Sequence, residues 1–207
     1  MESSGAGTIV PMNALPSLPE TLLDNLKARY AEPHRHYHTL AHVEALLRHL
    51  GTWRHLARQP AHLEAAAWYH DVVYDTHRND NEVCSADVVR FELMSIGWLG
   101  VDVERVATMV EATQHHRADD GDTDTLLFLD LDLSVLAAAP AAYDTYAAAI
   151  RAEFDWVPEA EWRTGRARVL RSFIDRPAIY RTPELHAAWE AAARGNLARE
   201  LATLVTP

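Results

Sequence analysis

The sequence predicts an all-α fold, on three observations. Apolar residues recur at helical spacing in segment after segment, no convincing run alternates apolar with polar residues, and Pro, Gly or capping residues punctuate the segments at short intervals. Ser17 and Glu20 form a capping-box pattern ahead of a helix with Leu18, Leu22, Leu23, Leu26 and Tyr30 on its apolar face, and Pro33 ends it. A second helix is expected from His38 to Leu50, with Leu40, Val43, Leu46, Leu47 and Leu50 in register and Gly51 as its stop. Pro60 opens PAHLEAAAWYHDVVYD, whose last residues are β-prone but continue the helical pattern. Asn79 and Glu82 are expected to cap NEVCSADVVRFELMSIG, which Gly97 terminates, and Asp102 to cap VERVATMVEATQHH. The loop RADDGDTD leads to TLLFLDLDLSVLAAA, and Pro140, Pro158 and Pro183 each stand at the start of a further helix. Together these give a single bundle of about eight or nine helices over residues 18–207, preceded by a flexible tail over residues 1–17.

Composition narrows the function. A chain of 207 residues suits one domain with a sizeable core. The net charge of −11 leaves no basic excess for a nucleic-acid duplex, although a small phosphorylated molecule needs only a local group of cations. No apolar run is long enough for a membrane span, and the start has no positive region followed by an apolar core, so a cytoplasmic protein without membrane contact is expected. The single cysteine, Cys84, rules out an internal disulfide and a thiolate zinc cluster, and is expected simply to pack. The tryptophans and the alanine-rich last helix would permit a homodimer without requiring one.

The chemistry gathers around WYHDVVYD. His70 and Asp71 are adjacent, and neighbours on a helix diverge by about 100°, so both reach one point only near a helix end. A buried Asp needs a partner, and a divalent cation would satisfy imidazole and carboxylate together. His42 on the preceding helix and the pair Asp130 and Asp132, set in an otherwise apolar helix, supply further donors. His42, His70, Asp71 and Asp132 would leave open positions on a six-coordinate ion for water and substrate. The same residues also fit a buried polar network with no metal.

The order His, His-Asp, Asp along a helical chain resembles the HD superfamily of metal-dependent phosphohydrolases. The likeness runs from about Arg29 to Arg199 and is nearest to the small stand-alone HD-domain proteins. It is carried by Arg35-His36-Tyr37-His38 with His42, by His70-Asp71 with Tyr74-Asp75, by Asn81-Glu82 with Ser85, and by Asp130-Leu131-Asp132-Leu133. The resemblance implies an HD-domain helical bundle and a divalent ion (manganese, iron, cobalt, nickel, magnesium or zinc), with Asp132 rather than Asp130 as the last ligand. YHTLAHVEALL is also similar to the ligand block of cyclic-nucleotide phosphodiesterases, which makes His42 a ligand and His38 the candidate general acid. HDVVYDT is close to the corresponding block of guanosine-tetraphosphate hydrolases, but Tyr74 stands where that family has a catalytic glutamate. Asp75 is retained, either to orient water or to cap the loop DTHRND.

Other residues carry two readings each. Glu82 is a water-orienting base or a residue of a helix start. Thr113 and His116 could line the pocket opposite the metal. His115, His116 and Arg117 could grip phosphate or end a helix. Arg35 could bind phosphate or form an internal ion pair, Arg166 is expected inward, and His36 and His49 are expected in solvent. The resulting expectation is metal-dependent hydrolysis of a phosphate ester or phosphoanhydride in a small molecule such as a nucleotide. The alternatives are a metal-containing nucleotide-binding regulatory module without turnover, and a di-iron oxygenase drawing extra ligands from Glu82, Asp75, His115 and His116.

Overall fold

A computed structural model describes residues 15–205, so most of the tail expected over residues 1–17 lies outside the described residues. Among the described residues there are nine α-helices and no strand. They are α1 Glu20–Arg29, α2 Leu40–Trp53, α3 Pro60–Tyr69, α4 Asn81–Ser95, α5 Gly100–Ala112, α6 Thr123–Asp132, α7 Pro140–Glu153, α8 Glu159–Ile174 and α9 Pro183–Val205. Short 3₁₀ turns at Arg54–Leu56 and Leu133–Ala137 follow α2 and α6.

The core lies where α6 meets α2 and α3, with α4 packed on α5 and α8 on α9 around it. Leu46 and Leu50 of α2, Leu63 and Ala66 of α3, Met109 and Val110 of α5, and Leu127, Phe128 and Leu131 of α6 are all buried. The helix α6 is buried on every side from Asp124 to Leu131, the behaviour of a helix apolar all round. Asp124 and Asp130 within this stretch therefore cannot turn to water. Asp124 accepts from the Arg58 and Gln59 backbone N–H groups, each at 2.8 Å, just ahead of α3. Asp130 accepts from the Arg181 and Thr182 N–H groups at 2.9 and 2.6 Å, just ahead of α9. No single helix among the described residues is long and apolar enough to cross a membrane.

Several helix starts differ from the sequence expectation, each for a local reason. The helix α1 begins after Pro19, whose carbonyl accepts from Leu22 and Leu23, and no side-chain cap from Ser17 forms. The helix α2 begins at Leu40 rather than His38, because the N–H groups of His36, Tyr37 and His38 all donate to Glu153 Oε1. At its other end α2 continues through Gly51 to Trp53. Asn79 does not cap α4. The helix begins at Asn81, whose side chain instead grips the Asp75 backbone N–H and carbonyl. Asp102 lies inside the first turn of α5 and pairs with His62 Nε2 at 2.9 Å, leaving no side-chain cap. Gly97 does stop α4: its φ of 91° is left-handed, and the Trp98 N–H reaches back to the Leu93 carbonyl.

His49 is half-buried rather than solvated, edge-on to Trp189 at 5.2 Å, and burial holds its pKa below the usual value. Arg166 is buried and paired with Glu200, as its inward placement required. Cys84 is half-buried, within 3.2 Å of the Arg78 guanidinium.

Asp124→Ala removes an acceptor from two N–H groups ahead of α3. It should cost about 2 kcal/mol, which is roughly 4–8 °C in thermal unfolding for a domain of this size. A melt indistinguishable from the parent would show that water replaces the carboxylate at no cost.

Candidate metal centre

The helix α3 stops at Tyr69, so His70 is its C-terminal cap and Asp71 lies in the turn beyond. That break is what allows two adjacent residues to face one point. His42 approaches from the first turn of α2 and Asp132 from the last residue of α6.

His42 Nε2 lies 3.0 Å from His70 Nε2 and 3.0 Å from Asp132 Oδ1. His70 Nε2 lies 3.4 Å from Asp132 Oδ1 and 3.0 Å from Asp71 Oδ2, and Asp71 Oδ2 is 3.8 Å from His42 Nε2. Donors bound about 2.1 Å from one ion and 90–110° apart sit roughly 3.0–3.4 Å from one another. The His42, His70 and Asp132 atoms have that spacing, and the group could hold a metal ion. Asp71 adjoins it through His70.

The outer nitrogens support this arrangement. His70 Nδ1 donates to the Ala67 carbonyl at 3.1 Å, which leaves Nε2 as a lone pair facing the centre. His42 Nδ1 meets the Tyr37 hydroxyl at 3.1 Å. Two imidazole nitrogens and two carboxylates thus converge, and the acids call for positive charge among them. Burial pushes the Asp132 carboxyl up, but His70, His116 and His42 together hold it well below the usual range. Burial lowers His70, and Asp71 and Asp132 outweigh it, raising the imidazole well above its ordinary value. Asp71 is depressed in turn by His70 against the pull of burial. A metal cation could supply the same charge in place of protons.

His38 sits beside this cluster, its ring centroid 6.0 Å from that of His42. Its Nδ1 donates to Glu153 Oε2 at 2.7 Å, and its ring lies against Tyr74, centroids 4.2 Å apart. Burial would lower the His38 pKa, but Asp71 and Glu153 raise it above the ordinary value. Glu153 is fully enclosed: Oε1 accepts the three N–H groups of residues 36–38, and Oε2 takes His38 and the Tyr74 hydroxyl. Although burial opposes it, these donors hold the Glu153 pKa down to about 2.

The cluster forms one end of a cavity of about 570 Å³. His38, Glu82, Thr113 and His116 line it together with the four candidate ligands. His116 is held at a φ of 48°, a left-handed conformation that costs a non-glycine residue on the order of 1 kcal/mol. Its Nε2 reaches Asp132 Oδ2 at 3.0 Å, while Arg176 holds the turn through the His115 and His116 carbonyls. Glu82 has no hydrogen-bond partner among the described residues.

Three sequence candidates lie outside the cavity. Asp75 is half exposed and accepts from the His77 N–H at 2.9 Å, capping its own loop. His115 is exposed at the surface. Arg35 is buried, and its guanidinium is taken up by Glu32 and the carbonyls of His38, Asp71 and Val72. It thereby ties the turn after α3 to the approach to α2. Asp130, the alternative to Asp132, is committed to the chain ahead of α9 and does not enter the cluster. Sequence reasoning missed Glu153 and Tyr37. Glu153 had a signal, as an acid in register with Tyr143, Tyr146 and Ile150 on the apolar face of α7.

Comparisons with protein-family models, with curated proteins and with solved structures find no match to this chain.

Two measurements probe this geometry. Asp132→Ala should abolish metal retention by elemental analysis, whereas Asp130→Ala should keep the metal and lose about 2–3 kcal/mol of stability. The reverse pattern would make Asp130 the ligand. Glu153→Gln should destabilise the fold by about 1.5–3 kcal/mol at neutral pH, since the charged acceptor is lost. The Glu153 pKa is depressed from 4.5 to about 2, so its contribution is complete above pH 4.5 and fades as the pH falls toward 2. A parent-minus-variant difference that stays constant from neutral pH down to pH 3 would contradict this assignment.

Proposed function

We propose that the protein is a metal-dependent phosphohydrolase of the HD superfamily, acting on a small phosphate ester or anhydride. One observation carries the reading: a His42, His70 and Asp132 cluster and His38, held from behind by Glu153, open onto the same cavity. The order of the ligands along the chain, with Asp71 directly after His70, is that of the superfamily named above.

His42, His70 and Asp132 would hold the ion, with Asp71 beside them. When bound, a divalent ion supplies Lewis acidity toward a phosphoryl oxygen and makes a nearby water more acidic. The protein's own groups account for the proton transfers. Glu153 fixes the His38 ring and, with Asp71, raises its pKa against the pull of burial, which favours His38 as the group that gives a proton to the leaving oxygen. Glu82, with a free carboxylate in the same cavity, accepts the proton of the attacking water. Thr113 lines the same cavity, and His116 sits at the cluster itself, on Asp132, and not opposite it.

A second reading, a regulatory module that binds without turnover, draws on Tyr74. This residue stands where a related block has its catalytic glutamate, and its hydroxyl donates to Glu153 at 2.8 Å.

Elemental analysis of the parent beside His70→Ala, with a phosphate-release screen in added manganese, tests the proposal. Expected are bound metal in the parent, its loss in the variant, and metal-dependent release. His38→Gln should lower kcat by about 10²–10⁴-fold with metal content unchanged. Bound metal with no release from any ester would favour the regulatory reading, and no metal after reconstitution would end both.

A further inference from the structure

Beyond the ligand cluster the cavity changes character. The turn after α6 and the helices α7 and α8 wall it with Leu133, Leu136, Ile150, Phe154, Trp162 and Phe173. The polar groups within this half are largely committed. Arg166 pairs with Glu200 at 2.7 and 3.0 Å and leans on the Tyr146 hydroxyl at 3.4 Å. Reading the edge of a nucleobase requires convergent free donors and acceptors, and this wall supplies few.

Charge points the same way. The carboxylates lining the cavity are Asp71, Glu82, Asp132 and Glu161, against the guanidiniums of Arg166 and Arg168. A divalent ion at the cluster offsets that acidic excess and no more. Arg168 is exposed and has no partner among the described residues, which leaves it as the one uncommitted guanidinium in the lining. A polyphosphate chain would bring more negative charge to this lining than a single phosphate group at the cluster, with Arg168 the one guanidinium left to meet it.

We propose that the substrate is a phosphate monoester whose body is an aromatic or branched aliphatic group, lodged between the turn after α6 and helices α7 and α8. The phosphate half rests on the phosphohydrolase reading; the apolar half rests on the wall. A cavity of about 570 Å³ is ample for such a molecule.

Calorimetric titration of the manganese-loaded protein separates the two halves. The probes are 1-naphthylmethylphosphonate, methylphosphonate, 1-naphthylmethanol and adenosine monophosphate. The naphthyl phosphonate should bind at least about tenfold more tightly than methylphosphonate and the nucleotide. Phe154→Ser should weaken that probe by about tenfold while changing methylphosphonate by less than about twofold. Val157→Ser, a smaller change on the same wall, should show the same selective loss if Phe154→Ser melts early. Nucleotide binding as tight as or tighter than the naphthyl phosphonate would overturn the apolar body and leave the hydrolase reading standing. Naphthylmethanol binding as tightly as the phosphonate would overturn the monoester from the other side, removing the phosphate while the apolar site remained.

Discussion

A helix buried on every side must satisfy its carboxylates from within the protein, and α6 carries Asp124, Asp130 and Asp132. Each is met by a different part of the chain. Asp124 holds the backbone ahead of α3, Asp130 holds the backbone ahead of α9, and Asp132 faces His42, His70 and His116. An unpaired buried carboxylate would cost several kcal/mol, so these three contacts fix where the surrounding helices begin and where the histidines converge. The centre is thus a consequence of burying α6. Two of its acids are spent on backbone N–H groups, and the third, Asp132, faces imidazoles at the cavity wall.

Glu153 plays the same part from the opposite wall. Its carboxylate gathers the N–H groups of residues 36–38 and keeps that segment out of the helix. His38 is therefore delivered on a bent approach to α2, with Nδ1 committed to Glu153. Arg35 braces the arrangement, because its guanidinium bridges the carbonyls on both sides of the cluster. Positioning and exposure are divided between different residues: Arg35 and Glu153 hold, while His38 and the His42, His70 and Asp132 cluster face the cavity.

The helical fold was legible because period and punctuation agree along the chain, and the Pro60, Pro140, Pro158 and Pro183 signals all fall at helix starts. The cluster was legible in part, because His70-Asp71 at a helix end and acids inside an apolar helix are conspicuous against their surroundings. Helix starts at α1, α2, α4 and α5 were not, since capping patterns compete with tertiary demands on the same residues. Asp102 is drawn to His62, and Asn81 to the Asp75 backbone. Arg35, Asp75 and His115 suited phosphate or water by residue type alone. Only three-dimensional placement shows Arg35 consumed by carbonyls, Asp75 capping its own loop and His115 at the surface. Glu153 went unnoticed because its partners lie 79 to 117 residues away in sequence.

The most direct test of the centre is an anomalous difference map from crystals grown with manganese, recorded above and below the manganese edge. A single dominant peak is expected between His42 Nε2, His70 Nε2 and the Asp132 carboxylate, within about 2.0–2.4 Å of each. A map with no peak there, or with its strongest peak at another group of acids, would mean that the cluster is a hydrogen-bonded network and not a metal centre.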